Sequence, residues 1–188
     1  MLNQKLLILD RDGVINQESP DFIKSPEEWI PLKGSLEAIG RLSQAGYDIV
    51  VITNQSGIGR GFFSANTLAK IHARMIDYVQ QHGGKIQGIL FCPHTAKDNC
   101  ECRKPNDGMY SELAYRLGIS FNDIYSVGDS VRDLLAAQSA GASPVLVKTG
   151  NGKKSLKEIE SNPELGLQSA PVFDSLAHFA DALLNNEL

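Results

Sequence analysis

Two carboxylates stand two residues apart in Leu9-Asp10-Arg11-Asp12-Gly13-Val14-Ile15, where a short apolar run gives way to a glycine. Ligand crevices of open α/β sheets lie at the carboxyl ends of buried parallel strands, and at such a place the pair divides into two roles. Asp10 can act as nucleophile and metal ligand, while Asp12, one step further round the turn, can hand a proton to a departing oxygen. A second pair follows another apolar run in Val127-Gly128-Asp129-Ser130-Val131-Arg132-Asp133. Mg2+ favours a few carboxylate oxygens together with water and phosphate, and Asp10, Asp129 and the carbonyl of Asp12 make up such a set. Asp133 would stand behind these ligands or simply supply favourable charge to the first turn of a helix.

Groups suited to an anion accompany these carboxylates. Thr53, Asn54 and Gln55 emerge at the end of a second apolar run and can hold phosphoryl oxygens. The glycine-rich stretch Ser56-Gly57-Ile58-Gly59-Arg60-Gly61 can turn backbone N–H groups and Arg60 toward the same anion. It matches neither a Walker A loop nor a dinucleotide fingerprint, so neither ATP nor NAD is inferred. The chain's three cysteines, Cys92, Cys100 and Cys102, share one stretch with His94. Three thiols and an imidazole are a tetrahedral zinc set with no open position, which marks a structural site. Directly beyond it stand Arg103 and Lys104. A zinc-folded loop would fix both toward the phosphate, Lys104 neutralising the transferring phosphoryl group and Arg103 gripping a substrate oxygen or second phosphate. His72, His82 and His178 are read as packing or surface residues.

The elements that must position these groups follow from periodicity. Apolar runs rich in Ile and Val at 6–9, 49–52, 89–91, 124–127 and 145–147, with a shorter one near Val172, read as buried strands. Segments of helical period at 35–45, 64–82, 108–117, 130–140 and 175–184 separate them, several opening on a serine suited to an N-cap, with Gly46, Gly118 and Gly141 as stops. The class is α/β, a central parallel sheet flanked by helices. The 188 residues, 42% of them hydrophobic, make one domain spanning 1–188 the expectation, with a zinc-binding loop at 92–105 and no large cap. The formal charge is -4 and the basic residues are scattered, which argues against nucleic acid as a partner. No segment approaches the roughly 18 apolar residues of a membrane span. The reading is a cytoplasmic monomer with a small phosphorylated metabolite as its partner.

Taken together, Asp10-x-Asp12, Thr53, Lys104 and Gly128-Asp129-x3-Asp133 resemble, in order and strand position, the signature motifs of the haloacid dehalogenase (HAD) superfamily. The resemblance implies a Rossmann-like sheet, Asp10 as phosphorylated nucleophile, Asp12 as general acid and then base, Thr53 and Lys104 as stabilisers of the phosphoryl group, and magnesium on Asp10, Asp12 and Asp129. Within the superfamily, Asp10-Arg11-Asp12-Gly13, Thr53-Asn54-Gln55-Ser56-Gly57, the Cys-x-His and Cys-x-Cys ligands and Arg103-Lys104-Pro105 are similar to the D-glycero-D-manno-heptose 1,7-bisphosphate 7-phosphatase family, whose members lack a large cap and make heptose precursors of lipopolysaccharide and related glycans. That similarity implies zinc on Cys92, His94, Cys100 and Cys102, and substrate contacts from Thr53, Asn54, Gln55, Ser56 and Arg103. It also places sugar contacts at Glu18, Ser19, Pro20 and Asp21, where this sequence departs from the family's Asp-His-Gly-Tyr-like stretch. Ser130 stands where some members carry lysine.

Competing readings are another phosphatase of the same motif group acting on histidinol phosphate, a polynucleotide 3'-phosphatase, a signalling receiver and a non-catalytic zinc module. The polynucleotide reading would need a basic surface for a phosphate backbone, which this chain lacks. A receiver takes phosphate after its third strand, where this chain has Leu90-Phe91-Cys92. A zinc module leaves Asp10, Asp12 and Asp129 without a role, and an intact Asp12 argues for turnover, because hydrolysis of an aspartyl phosphate needs a base.

Overall fold

In the structure, a computed structural model describing residues 5–188, the apolar runs form one six-stranded sheet. Its strands are β1 (Lys5–Leu9), β2 (Tyr47–Asn54), β3 (Ile86–Cys92), β4 (Tyr125–Gly128), β5 (Ser143–Val147) and β6 (Val172–Phe173). All neighbouring pairs are parallel, in the order β3-β2-β1-β4-β5-β6. This is the doubly wound, Rossmann-like order, in which the connections reverse direction between β1 and β4 and leave a crevice at the strands' carboxyl ends.

Helices α1 (Ser35–Gln44), α2 (Ala65–Gln81), α3 (Gly108–Leu117), α4 (Val131–Ser139), α5 (Gly152–Ser161) and α6 (Leu176–Leu184) cover the two faces. Alternation along β1 divides the core, as strand geometry requires. Leu7 and Leu9 pack with Ile39 of α1, Ile71 and Met75 of α2 and Phe179 of α6. Leu6 and Ile8 face Met109 and Leu113 of α3 and Ala136 and Ala137 of α4. Both faces of β1 are therefore buried, so the run is apolar throughout rather than alternating.

Five helices match the expected segments closely, and Gly46, Gly118 and Gly141 adopt positive φ where three of them end. Ser64 and Ser130 cap α2 and α4 through their hydroxyls, Ser130 in a reciprocal capping box with Asp133. Ser35 differs. It is the first residue inside α1, and its hydroxyl donates instead to the carbonyls of Ile15 and Leu32, tying the loop after β1 to the helix. Helix α5 is an addition that periodicity did not reveal. Gly-Lys-Lys-Ser-Leu-Lys-Glu-Ile-Glu-Ser offers only Leu156 and Ile159 as apolar anchors and opens on glycine, and its seat on the body depends on contacts from elsewhere, including Ser155 Oγ donating to Asp129 O at 2.9 Å.

Candidate active site

Asp10 follows β1 and Asp129 follows β4, neighbours in the sheet at the reversal point, so residues remote in the chain meet in space. Carboxylate oxygens of Asp10, Asp129 and Asp133 come within 4.8 Å of one another. Lys104, only 1% exposed, reaches this cluster from the other side. Its Nζ lies 2.9 Å from Asp10 Oδ1 and 2.7 Å from Asp133 Oδ1, and donates to Ile52 O at 2.7 Å. Burial opposes the ammonium charge, but the two carboxylates outweigh it and hold Lys104 protonated.

Three buried carboxylates around one lysine leave an excess of negative charge. Burial, augmented by Asp133 and Asp12, pushes the Asp10 carboxyl up to about 7 against the pull of Lys104. Burial together with Asp133 and Asp10 pushes Asp129 up to about 9. Asp133 goes the other way: burial alone would raise it, but the bonds to Lys104 and Ser130 hold it below the usual carboxylate range. Such a donor set suits a divalent cation. The backbone is shaped closely round it. A Cβ at Gly13, where φ is +79°, would fall 2.0 Å from Asp129 Oδ2, and one at Gly150, where φ is +54°, would fall 2.1 Å from the same atom. Neither position can carry a side chain while Asp129 stays in place.

The Asp12 carboxylate lies outside this group of three. Its Oδ1 accepts from Arg11 Nε at 3.0 Å, Arg11 Nη2 at 2.8 Å and Asn16 Nδ2 at 2.8 Å. Oδ2 accepts from Arg11 Nη2 at 2.8 Å and Gln55 Nε2 at 2.9 Å. Gln55 Nε2 also donates to Thr53 Oγ1 at 3.0 Å, which links the ends of β1 and β2.

A cavity of about 260 Å³ opens over these groups, walled by Asp10, Asp12, Thr53, Gln55, Ser56, Arg60, Arg103, Lys104 and Asp129. Glu18 and Ser19 also line it, whereas Pro20 and Asp21 sit in a neighbouring depression, exposed to solvent. Arg60 stacks over Phe22, its guanidinium carbon 5.9 Å from the ring centre, and Phe22 meets Phe62 at 5.1 Å. Asn54 borders the cavity, but both ends of its amide are occupied. Asn54 Nδ2 donates to Lys104 O at 3.1 Å and Lys104 N donates to Asn54 Oδ1 at 3.1 Å, so the side chain splices the Lys104 backbone to the end of β2.

The cysteine cluster forms beside this splice. Cys102 Sγ is 3.2 Å from Cys92 Sγ, 3.5 Å from Cys100 Sγ and 3.2 Å from His94 Nδ1, and Cys92 Sγ is 3.6 Å from both Cys100 Sγ and His94 Nδ1. Sulfur ligands placed tetrahedrally about 2.3 Å from zinc stand about 3.8 Å apart, so the four atoms already approximate such a shell. Burial and the two neighbouring thiols push Cys92 up to about 12. Arg103 Nη1 donates to His94 O at 3.1 Å, tying the guanidinium to this loop.

Sequence reasoning left out several residues that the fold brings to the site. Asn151, opening α5, donates its backbone N–H to Asp129 Oδ2 at 2.7 Å and its side-chain amide to Glu18 Oε2 at 3.0 Å. Thr149 Oγ1 donates to Gly13 O at 2.6 Å. Arg132 and Phe22 line the cavity, and Arg11 and His72 lie buried behind Asp12. Arg11 and Arg132 stand inside the aspartate motifs without a role read for them, and no short motif announces the others; each acts from an element whose neighbours are set by the fold.

A doubly wound sheet with paired aspartates after its first strand, a threonine after its second, a buried lysine and an acidic cluster after the fourth defines a phosphatase-type hydrolase of the HAD class. In agreement, residues 101–179 match the HAD-hydrolase-like family model. The chain is 49% identical over 180 residues, covering 96% of this chain and 95% of the relative, to a D-glycero-beta-D-manno-heptose-1,7-bisphosphate 7-phosphatase of Neisseria meningitidis serogroup A. It is 48% identical over 183 residues to the protein of the same name from Pseudomonas aeruginosa, covering 97% and 99% of the two chains. The crystal structure of a D,D-heptose 1,7-bisphosphate phosphatase from B. bronchiseptica, complexed with magnesium and phosphate, superposes with a TM-score of 0.92 at 48% identity over 97% of this chain and 99% of that one. The chain belongs to the D-glycero-beta-D-manno-heptose-1,7-bisphosphate 7-phosphatase family.

Proposed function

We propose that this protein removes the 7-phosphate of D-glycero-β-D-manno-heptose 1,7-bisphosphate, with Mg2+ at the carboxylate cluster and Zn2+ at the cysteine cluster. The observation that carries the reading is a likeness to relatives of that name over 96% of this chain, in a chain whose own cavity is lined by Asp10, Lys104, Thr53 and Asp12 together. Asp10 attacks phosphorus in line, the bond from phosphorus to the sugar oxygen breaks, and Asp12 donates a proton to that oxygen. Water then attacks the phosphoaspartate, Asp12 takes its proton, and inorganic phosphate leaves with Asp10 regenerated. Lys104 Nζ and Thr53 Oγ1 stabilise the charge on the phosphoryl oxygens.

Asp10, Asp129 and the carbonyl of Asp12 would hold Mg2+, which supplies the positive charge that three carboxylates and a phosphoryl group require. Cys92, His94, Cys100 and Cys102 would hold Zn2+ and so stiffen the loop that carries Arg103 and Lys104. Glu18, Ser19, Gln55, Ser56, Arg60 and Arg103 stand where a sugar and its second phosphate would rest. Asn54 serves by fixing Lys104 rather than by touching substrate. We place the protein in the cytoplasm, where thiols stay reduced. Among the described residues no helix is long and apolar enough to cross a membrane.

The test is phosphate release from the heptose bisphosphate beside histidinol phosphate and a panel of sugar phosphates, with and without magnesium. A magnesium-dependent preference for the heptose bisphosphate supports the proposal. Preference for another ester refutes the substrate, and activity in the Asp10→Asn variant refutes the nucleophile.

A further inference from the structure

Arg11 is a residue that the chemistry above does not use. It is 1% exposed, although a guanidinium stays charged at every pH a protein meets and is costly to bury without partners. One edge of the fork, Nε and Nη2, grips Asp12 at 2.8 to 3.0 Å. The outer nitrogen, Nη1, points the other way and meets His72 Nε2 at 3.3 Å. His72 comes from α2, on the face of the sheet built by α1, α2 and α6, and is itself 8% exposed. Its ring stands edge-on to Phe91 of β3 at 6.1 Å.

A charged imidazole could not accept a hydrogen bond from a guanidinium. Burial, aided by Arg11 and opposed by Asp12, lowers His72 to about 3, so the ring is neutral and Nε2 offers a lone pair. The contact is therefore a donor–acceptor bond of defined direction, Arg11 Nη1 to His72 Nε2. With Asn16 Nδ2 and Gln55 Nε2 donating to the same carboxylate, it forms a chain from α2 through Arg11 to Asp12.

We infer that His72 is a positioning residue for proton transfer: by holding the far side of the Arg11 guanidinium it fixes the orientation in which Arg11 presents the Asp12 carboxylate to the leaving oxygen. This rests on Asp12 being the general acid, as proposed above. The geometry explains why a histidine occupies the buried side of α2 at this turn, where Ile71 and Met75 beside it are apolar. An apolar side chain at position 72 would leave Nη1 without an acceptor in a dry place, and the guanidinium would turn to find one, carrying the Asp12 grip with it.

The consequence is selective. A sugar alkoxide must be protonated as it leaves, whereas 4-nitrophenolate leaves without help, and kcat/KM reports only steps up to formation of the phosphoaspartate. The test compares His72→Leu, which removes the acceptor, with His72→Gln, which retains one, on a sugar phosphate the enzyme accepts and on 4-nitrophenyl phosphate. Each variant's thermal melting and magnesium dependence are recorded alongside. Displacing an acid of this kind should lower kcat/KM for the sugar phosphate at least about tenfold in His72→Leu, with the aryl ester changed by less than about threefold, and His72→Gln should restore the sugar phosphate rate to within about threefold of the parent. If His72→Leu does not fold, His72→Asn, whose amide falls about one methylene short, makes the same comparison. Equal losses on both esters, or none on either, would overturn the inference and leave His72 a packing residue. Asp12→Asn separates the two readings: it must itself spare the aryl ester relative to the sugar phosphate. If Asp12→Asn shows no such discrimination, the assignment of Asp12 fails; if it does and the His72 variants do not, only the role of His72 fails.

Discussion

The acidic cluster makes folding of the magnesium-free protein depend on pH in an unusual direction. Asp10 and Asp129 have carboxyls raised to about 7 and about 9 in the folded state, against about 3.9 when unfolded. Between pH 5 and 7 the folded cluster therefore binds more protons than the unfolded chain, and stability falls as pH rises through this window. Asp133, held low by Lys104, contributes stability that is lost only as pH falls through its depressed range, below the interval tested. If the cluster retains one net proton, stability falls by roughly 3 kcal/mol from pH 5 to 7. For a chain of this size that corresponds to a fall of about 6–12 °C in Tm. The assay is thermal melting after desalting into magnesium-free buffer without chelator, so that the proposed zinc at the cysteine cluster is not stripped. Saturating Mg2+ should flatten the profile by displacing that proton, and Asp129→Asn should flatten it without metal. A magnesium-free Tm that rises from pH 5 to 7, or a profile indifferent to both Mg2+ and Asp129→Asn, would refute the reasoning.

Other perturbations test the supports of the site. Asn54→Ala removes both bonds to the Lys104 backbone, and at about 0.5–1.5 kcal/mol each it should lower stability by about 1–3 kcal/mol in denaturant titration while depressing kcat, because Lys104 is no longer held. Cys102→Ser breaks the three closest contacts of the sulfur cluster, so purified protein should carry less zinc by metal analysis and show a raised KM from a loosened Arg103–Lys104 loop. Gly150→Ala would drive a Cβ against Asp129 Oδ2 and against Gly13 Cα, 2.6 Å away. Displacing the adjacent Asn151 N–H should raise the magnesium concentration needed for half-maximal activity about 10–100-fold, the usual effect of disturbing a ligand's support, and an unchanged magnesium requirement would contradict it.

Legibility in the sequence followed the range of the interactions concerned. The apolar runs revealed five strands and a trace of the sixth because both faces of the sheet's central strands are buried, and five helices because their apolar stripes are complete. Helix α5 stayed hidden because its thin apolar stripe is supplemented by Ser155, whose bond to Asp129 cannot be foreseen locally. Asn54 read as a substrate amide because its neighbours are polar and follow a strand; only the approach of the loop after the cysteines converts it into a clamp on Lys104.

What the sequence alone determined was the chemistry: which residues end each strand, that three thiols and an imidazole share one stretch, and that an arginine and a lysine follow them directly. These are properties of spacing along the chain, and strand geometry projects them onto one edge of a parallel sheet. What only the tertiary structure decided was which charges meet. Asp133 was legible as a charge in a helix's first turn, yet its partner is Lys104 from another loop; His72 was legible as a packing residue on a helix, yet it faces Arg11 behind Asp12. Those pairings depend on how α2, α4 and the cysteine loop close over β1, and burial at that junction turns ordinary polar residues into groups with defined partners.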